Sequence, residues 1–246
     1  MTDIWTLFAF PLNLLLAVLW TAFLVWLKKY HPCCVVVRFL LSPPATISSI
    51  SLLLLSCIWI GISGDRGFTK SLFFAIILMY VQSTLIMILL RGWKRTDGQV
   101  RWRFLLLHCG LLLAVGAGFW GSPDTEEYRI KLECDEPSRE AFNIDGFRTV
   151  LSYELTVTDL KTEYSSNGKP IYYEALVSLD GSQPTSITVN NPYSPRLGED
   201  IYLSSISGDS CVLQIVREPW RHLVLAGIVM MLLGAFLLFI QGPGRK

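Results

Sequence analysis

The sequence predicts a membrane α-helical protein of about five spanning helices, with an extracytoplasmic, antiparallel β-sandwich-like domain between the last two. Three observations predict it. The chain is 52% hydrophobic and only 17% charged, apolar for a soluble domain. Its charge is segregated: residues 121–218 hold 17 Asp/Glu against 8 Lys/Arg, while the remainder holds 13 Lys/Arg against 3 Asp/Glu. The acidic stretch also alternates apolar and polar residues at period two, whereas the flanking sequence runs apolar for whole windows.

A hydrocarbon core about 30 Å thick takes roughly 17–25 apolar residues in a helix. The windows are 4–27, 45–62, 71–90, 104–120 and 223–240, giving a four-span region over 1–120, an outer domain over 121–217, and a last span and tail over 218–246. No basic residue precedes the first window and its apolar run exceeds a signal-peptide core, so it is expected to stay in the mature chain. Pro43 and Pro44 suit the opening of the second span. Cys34–Leu41 is too short to cross and is expected to lie along the cytoplasmic interface.

The basic residues set an orientation. Lys28, Lys29 and Arg38 follow the first window, Arg91, Lys94, Arg95, Arg101 and Arg103 separate the third from the fourth, and Arg245 and Lys246 end the chain. The opposite flanks hold Asp3, then Asp65, Arg66 and Lys70. The positive-inside rule puts the N-terminus outside, the C-terminus inside and the acidic domain outside a cytoplasmic (inner) membrane. Trp5, Trp93, Trp102, Trp120 and Trp220 fall at window ends, where aromatic belts sit.

Within the acidic domain, Tyr128, Ile130, Leu132 and Cys134 alternate. So do Leu151 to Val157, Tyr173 to Leu179, and Cys211 to Ile215. Turn pairs Asn167-Gly168, Asp180-Gly181, Asn191-Pro192 and Gly208-Asp209 bound these runs, giving an antiparallel sandwich or open barrel. Cys134 and Cys211 share the phase of the apolar face. In an oxidising compartment they form a disulfide between the first and last strands; otherwise they pack as small hydrophobes. The domain has no histidine, which removes a Ser/His/Asp triad, a Cys/His pair and His-ligated zinc. Its acidity excludes nucleic acid as a partner.

Three stretches resemble the ResB-like proteins of system II cytochrome c biogenesis. Ile187 to Tyr193 (ITVNNPY), with Leu197-Gly198 and Ile201-Tyr202, is similar to that family's outer signature. Val216 to Trp220 (VREPW), leading to Gly227 to Met231 and Leu233 to Ala235, is similar to the approach to its last span. Arg103 to Gly110 (RFLLLHCG), followed by Gly116 to Gly118, is similar to its histidine-bearing helix. The stretches run in order from about residue 101 to 240. Leu107 stands where the family has asparagine, Leu203 where it has glutamine, and Glu218 where it has aspartate. The resemblance implies a role in carrying heme b outward, bound transiently, for attachment to apocytochrome c. It also implies a separate multi-span subunit of the CcsA (ResC) type. Such a chain is a non-catalytic subunit of a cytochrome c heme lyase complex. The alternative class is a non-enzymatic membrane scaffold or sensor whose outer domain binds a protein or ligand without heme.

His31 falls in the cytoplasmic loop and His222 at the outer mouth of the fifth window, while His108 lies inside the fourth. Ionisable side chains at that depth usually face a bundle interior or a site. At 100° per residue, Gly110, Ala114 and Gly118 form a small-residue stripe for helix contact. His108 points away from it, with Arg101, Phe104, Leu112, Val115 and Phe119 on its face. This suits either an imidazole bonded to a neighbouring helix or an axial heme ligand, with Arg101 near a propionate. The resemblance implies the ligand. Met230 and Met231 read as packing.

Overall fold

The computed structural model describes residues 8–64, 66–94, 98–144, 146–167 and 170–241. Asp3, Trp5, Asp65, Arg95, Gly168, Arg245 and Lys246 lie outside the described residues. Two units emerge, residues 1–123 with 220–246, and residues 124–219.

In the first unit, α1 (Leu12–Tyr30) opens behind Pro11, whose carbonyl accepts from the Leu15 N–H at 3.1 Å. A proline in a helix interior removes a hydrogen bond and clashes with the preceding turn. That is why the helix starts later than the apolar window does. The short α2 (Val35–Leu40) buries Val37 and Leu40 against Leu24, Ile86 and Met87 and leaves Val35, Val36 and Phe39 exposed. The next helix, α3 (Pro43–Ser63), takes both prolines into its first turn, where no N–H is required, and the Ser42 hydroxyl caps the Ala45 N–H. Gly64, at φ +64°, closes it.

The central helix is α4 (Leu72–Gly92), capped by Ser71 on the Phe74 N–H. It carries Gln82, Ser83 and Thr84 buried in its middle. In an apolar bundle such groups cost free energy unless bonded. Trp20 Nε1 donates to Ser83 Oγ at 3.1 Å, Trp120 Nε1 to Gln82 Oε1 at 2.9 Å, and Thr84 Oγ1 to the Tyr80 carbonyl at 2.7 Å. Asn13 ties α1 to the same region by donating to the Trp120 carbonyl at 2.8 Å.

Helices α5 (Trp102–Trp120) and α6 (Arg221–Gln241) run against each other along glycines. A Cβ on Gly110 would meet the Gly227 carbonyl oxygen at 2.6 Å, and one on Gly234 would meet Leu107 Cγ at 2.8 Å. The stripe expected on α5 is used at Gly110 and Ala114. Gly118 has nothing within 4 Å and takes no part. The five long helices α1, α3, α4, α5 and α6 are each long and apolar enough to cross a membrane. This is a multi-pass membrane protein.

The second unit is one antiparallel sheet of eight strands. They are β1 (Glu126–Glu133), β2 (Ser138–Asn143), β3 (Arg148–Tyr164), β4 (Pro170–Leu179), β5 (Thr185–Thr188), β6 (Tyr193–Arg196), β7 (Glu199–Ser207) and β8 (Ser210–Arg217). Their order is β5-β4-β3-β2-β1-β8-β7-β6. The sheet folds over so that β4 and β5 face β7, which makes two layers from a single sheet. Tyr153, Ile130, Leu155, Val157, Ile187, Ile201, Leu213 and Ile215 fill the interior and are almost fully buried. Register shifts in β3–β4 and β7–β8 provide the bends.

Candidate functional site: the histidine face of the fourth span

The first two turns of α5 and its N-cap position three stacked side chains. Arg101 is the N-cap residue, and its guanidinium lies 5.1 Å from the centre of the Phe104 ring. The Phe104 ring in turn stacks on the His108 imidazole, with centroids 4.1 Å apart and planes 28° from parallel. Spacings of three and four residues put all three on one face. Phe104 is seated by α4: a Cβ on Gly92 would meet its Cζ at 2.5 Å, so a glycine there leaves room for the ring. Arg101 also donates to the Gly92 carbonyl at 3.5 Å, a long bond.

His108 Nδ1 lies 2.9 Å from the Phe104 carbonyl oxygen. A carbonyl can only accept, so Nδ1 is the donor. Among the described residues no side chain or backbone group bonds Nε2. A histidine oriented through one nitrogen, with the other bare, is the arrangement by which an imidazole presents itself to a metal. Half-buried, it remains reachable. The opposite face of α5 is consumed by α6, while Leu112 packs into the cores around Met87 and Ile77. Among the described residues no three His, Cys, Asp or Glu side chains gather into a metal cluster.

His31 is exposed beside Trp26, with ring centres 5.1 Å apart. His222 sits in the first turn of α6, half-buried, and its Nε2 is buried without a hydrogen-bond partner. Gln82 Nε2, on α4, is in the same state. Nothing in the local sequence of either residue signals this, since it depends on which helices surround them.

Cys134, just past the end of β1, and Cys211, on β8, stand as thiols. Cys211 pairs with Leu132, and the Cys134 N–H donates to the Asp209 carbonyl at 3.0 Å, so the two cysteines are diagonal neighbours. Burial, reinforced by Cys134, pushes the Cys211 thiol up to about 11.

Two of the quoted motifs meet in one corner of the sheet. Gly198, at φ +77°, turns β6 into β7, and a Cβ there would lie 2.8 Å from the Glu218 carbonyl oxygen. The Glu218 N–H donates to the Gly198 carbonyl at 2.6 Å. Next in sequence, Glu199 is buried, accepts from Tyr153 Oη at 2.6 Å and is bonded by Arg217 Nε. Burial first, and then its bond to Glu199, pushes the Tyr153 hydroxyl pKa well up. These motif residues fold the corner.

No protein-family model and no curated protein matches the sequence. Among solved structures, 96% of this chain aligns with 46% of a chain described as "Cytochrome c Heme Lyase CcmF", at 16% identity and a TM-score of 0.44. The chain thus spans about half of that protein. A likeness at this level is too general to carry function.

Proposed function

We propose that the chain is a ResB-like subunit of a system II heme-export and cytochrome c synthase complex, working with a separate CcsA-type subunit. The observation that carries this reading is the bare Nε2 of His108, fixed by the Nδ1–H bond to Phe104. The ordered motifs support it. Heme b is the cargo. His108 supplies one axial nitrogen, Phe104 presents a flat apolar surface, and Arg101 offers a cation to a propionate. The partner supplies the second axial ligand and the outer attachment site, and the β domain positions apocytochrome c. No side chain of this chain performs the covalent step.

The orientation belongs to the same reading: N-terminus outside, C-terminus inside, β domain outside the cytoplasmic (inner) membrane. It is supported by the sharing of one bundle end by several basic residues. Arg91 donates to the Leu41 carbonyl at 3.1 Å, and the Arg101 N–H to the Trp93 carbonyl at 3.0 Å. A cysteine placed at Lys94 should resist an impermeant maleimide applied from outside, and one at Asn167 should react.

The experiment that tests the heme reading is an absorption spectrum of the complex purified with its partner, which should show a Soret band. A complex that matures no cytochrome and binds no heme supports a scaffold or sensor instead.

A further inference from the structure

We propose that one end of the β domain is a lipid-binding rim, formed by the β2–β3 and β6–β7 hairpins, that beds into the headgroup zone of the bilayer. Strand register puts both hairpins at the same end. Tyr128 pairs with Asn143 at the tip of β2, Arg196 with Glu199 at the start of β7, and Arg217 with both Glu126 and Glu199. Glu126 and Arg217 are also the residues through which β1 and β8 connect to the apolar helices α5 and α6. Both covalent connections to the spans therefore leave from this end.

Large apolar side chains stand in the open there. Ile144 is 69% exposed, Phe147 62% and Leu197 84%, with Phe142 beside them at 46%. These positions are held out by bonded turns. The Phe147 N–H donates to Asn143 Oδ1 at 2.8 Å, and the Gly146 N–H to the Asn143 carbonyl at 3.0 Å. Leu197 is held by the contact of Gly198 with Glu218. A turn bonded in this way keeps apolar groups in water at a free-energy cost unless a second apolar phase receives them.

The arginines beside the tips are engaged within the domain: Arg148 pairs with Glu140, and Arg196 donates to Ser152 Oγ at 3.0 Å and lies over the Tyr153 ring, so the apolar tips themselves carry the contact. At the far end of β1 and β8, where Glu133 pairs with Ser210, Asp135, Glu136 and Asp209 are exposed, while β3 and β4 run on past it to exposed Tyr164 and Ile171. A fluid surface suits tips on separate hairpins, and the connections to the spans keep that surface within reach.

The test uses the full chain in nanodiscs of phosphatidylcholine and phosphatidylglycerol. Benzoylphenylalanine is placed at Phe147, at Leu197 and, as control, at Glu136, then irradiated and read by mass spectrometry. Lipid adducts should form at the first two positions and not at the third. Adding Ile144→Asp should cut the adduct at position 147 several-fold while the melting temperature holds. Equal labelling at all three positions, or only protein adducts at 147 and 197 in the complex purified from membranes, overturns the proposal.

Discussion

Gly110 of α5 and Gly227 of α6 meet backbone to backbone: a Cβ on either would stand 2.6 Å from the other's carbonyl oxygen. The helices that flank the β domain in sequence are thus joined at a point that no other residue type fits. Gly227→Leu should force them apart and cost about 3 kcal/mol, the upper range for overpacking. Gly116 has nothing within 4 Å of its Cβ position, so Gly116→Ala should be neutral or stabilise by up to about 1 kcal/mol through helix propensity. Thermal melts in detergent separate the two outcomes.

The buried pair of Glu199 and Arg217 gives the second prediction. The carboxylate side chain is 6% exposed and the arginine 26%. Glu199→Gln removes the negative charge and leaves the guanidinium half-paired, which should cost about 3 kcal/mol. Tyr153→Phe removes one hydrogen bond and should cost about 1 kcal/mol. Alkali should act on the same corner. Burial and Glu126 push Tyr128 up to about 12 from its ordinary 10.0, and burial raises Tyr153 as well. A raised folded value means the contribution is complete below about 10 and is lost as pH rises through about 12. Tyrosinate absorbance near that upper limit should rise together with loss of the β-sheet circular dichroism signal.

The cysteines give the third. On an outward-facing domain, Cys134 and Cys211 should be found joined, closing a loop of about 77 residues worth about 4 kcal/mol on the chain-entropy model. Their diagonal register puts the Cα atoms about 7–8 Å apart, beyond the usual range for a disulfide, so the strands must shift to close it and some of that is offset. Non-reducing peptide mapping from native membranes should find the bridged peptide; two free thiols would end the idea. After reduction in the folded state, Cys211 at about 11 should alkylate slowly at pH 8, because little thiolate is present.

Much of the architecture was legible in the sequence because it follows from periodicity. Tyr128 to Leu132, Leu151 to Val157 and Cys211 to Ile215 alternate, and they are buried as the alternation requires. Strand β7 escaped notice because Glu199 and Asp200 are buried polar residues, which break the pattern. Strand β2 escaped because Ala141 is its one buried residue. In the spans, apolarity marks existence and not ends: the start of α1 is decided by Pro11, not by hydropathy. The stacking of Arg101, Phe104 and His108 follows from helical spacing. The proton on Nδ1 and the notch at Gly92 do not, since one is a matter of hydrogen-bond geometry and the other of where α4 lies.

The last prediction concerns that stack. With Nδ1–H tied to the Phe104 carbonyl at 2.9 Å, His108 has one nitrogen to offer and a fixed direction in which to offer it. In the complex with the proposed CcsA-type subunit, His108→Ala should weaken or shift the Soret band. Added imidazole should partly restore it by occupying the vacated coordination position. Arg101→Ala should leave the band where it is and lower its intensity, because a charge-assisted bond to a propionate is worth about 2 kcal/mol, or roughly thirtyfold in affinity. Gly92→Ala should disturb ligation indirectly, since its Cβ would meet Phe104 Cζ at 2.5 Å and displace the ring on which the imidazole rests. His222→Ala, at the other end of the bundle, should leave this band unchanged. A His108→Ala complex that keeps wild-type heme content and spectrum and still matures cytochromes would make the imidazole a packing group, and its Phe104 bond a matter of helix stability alone.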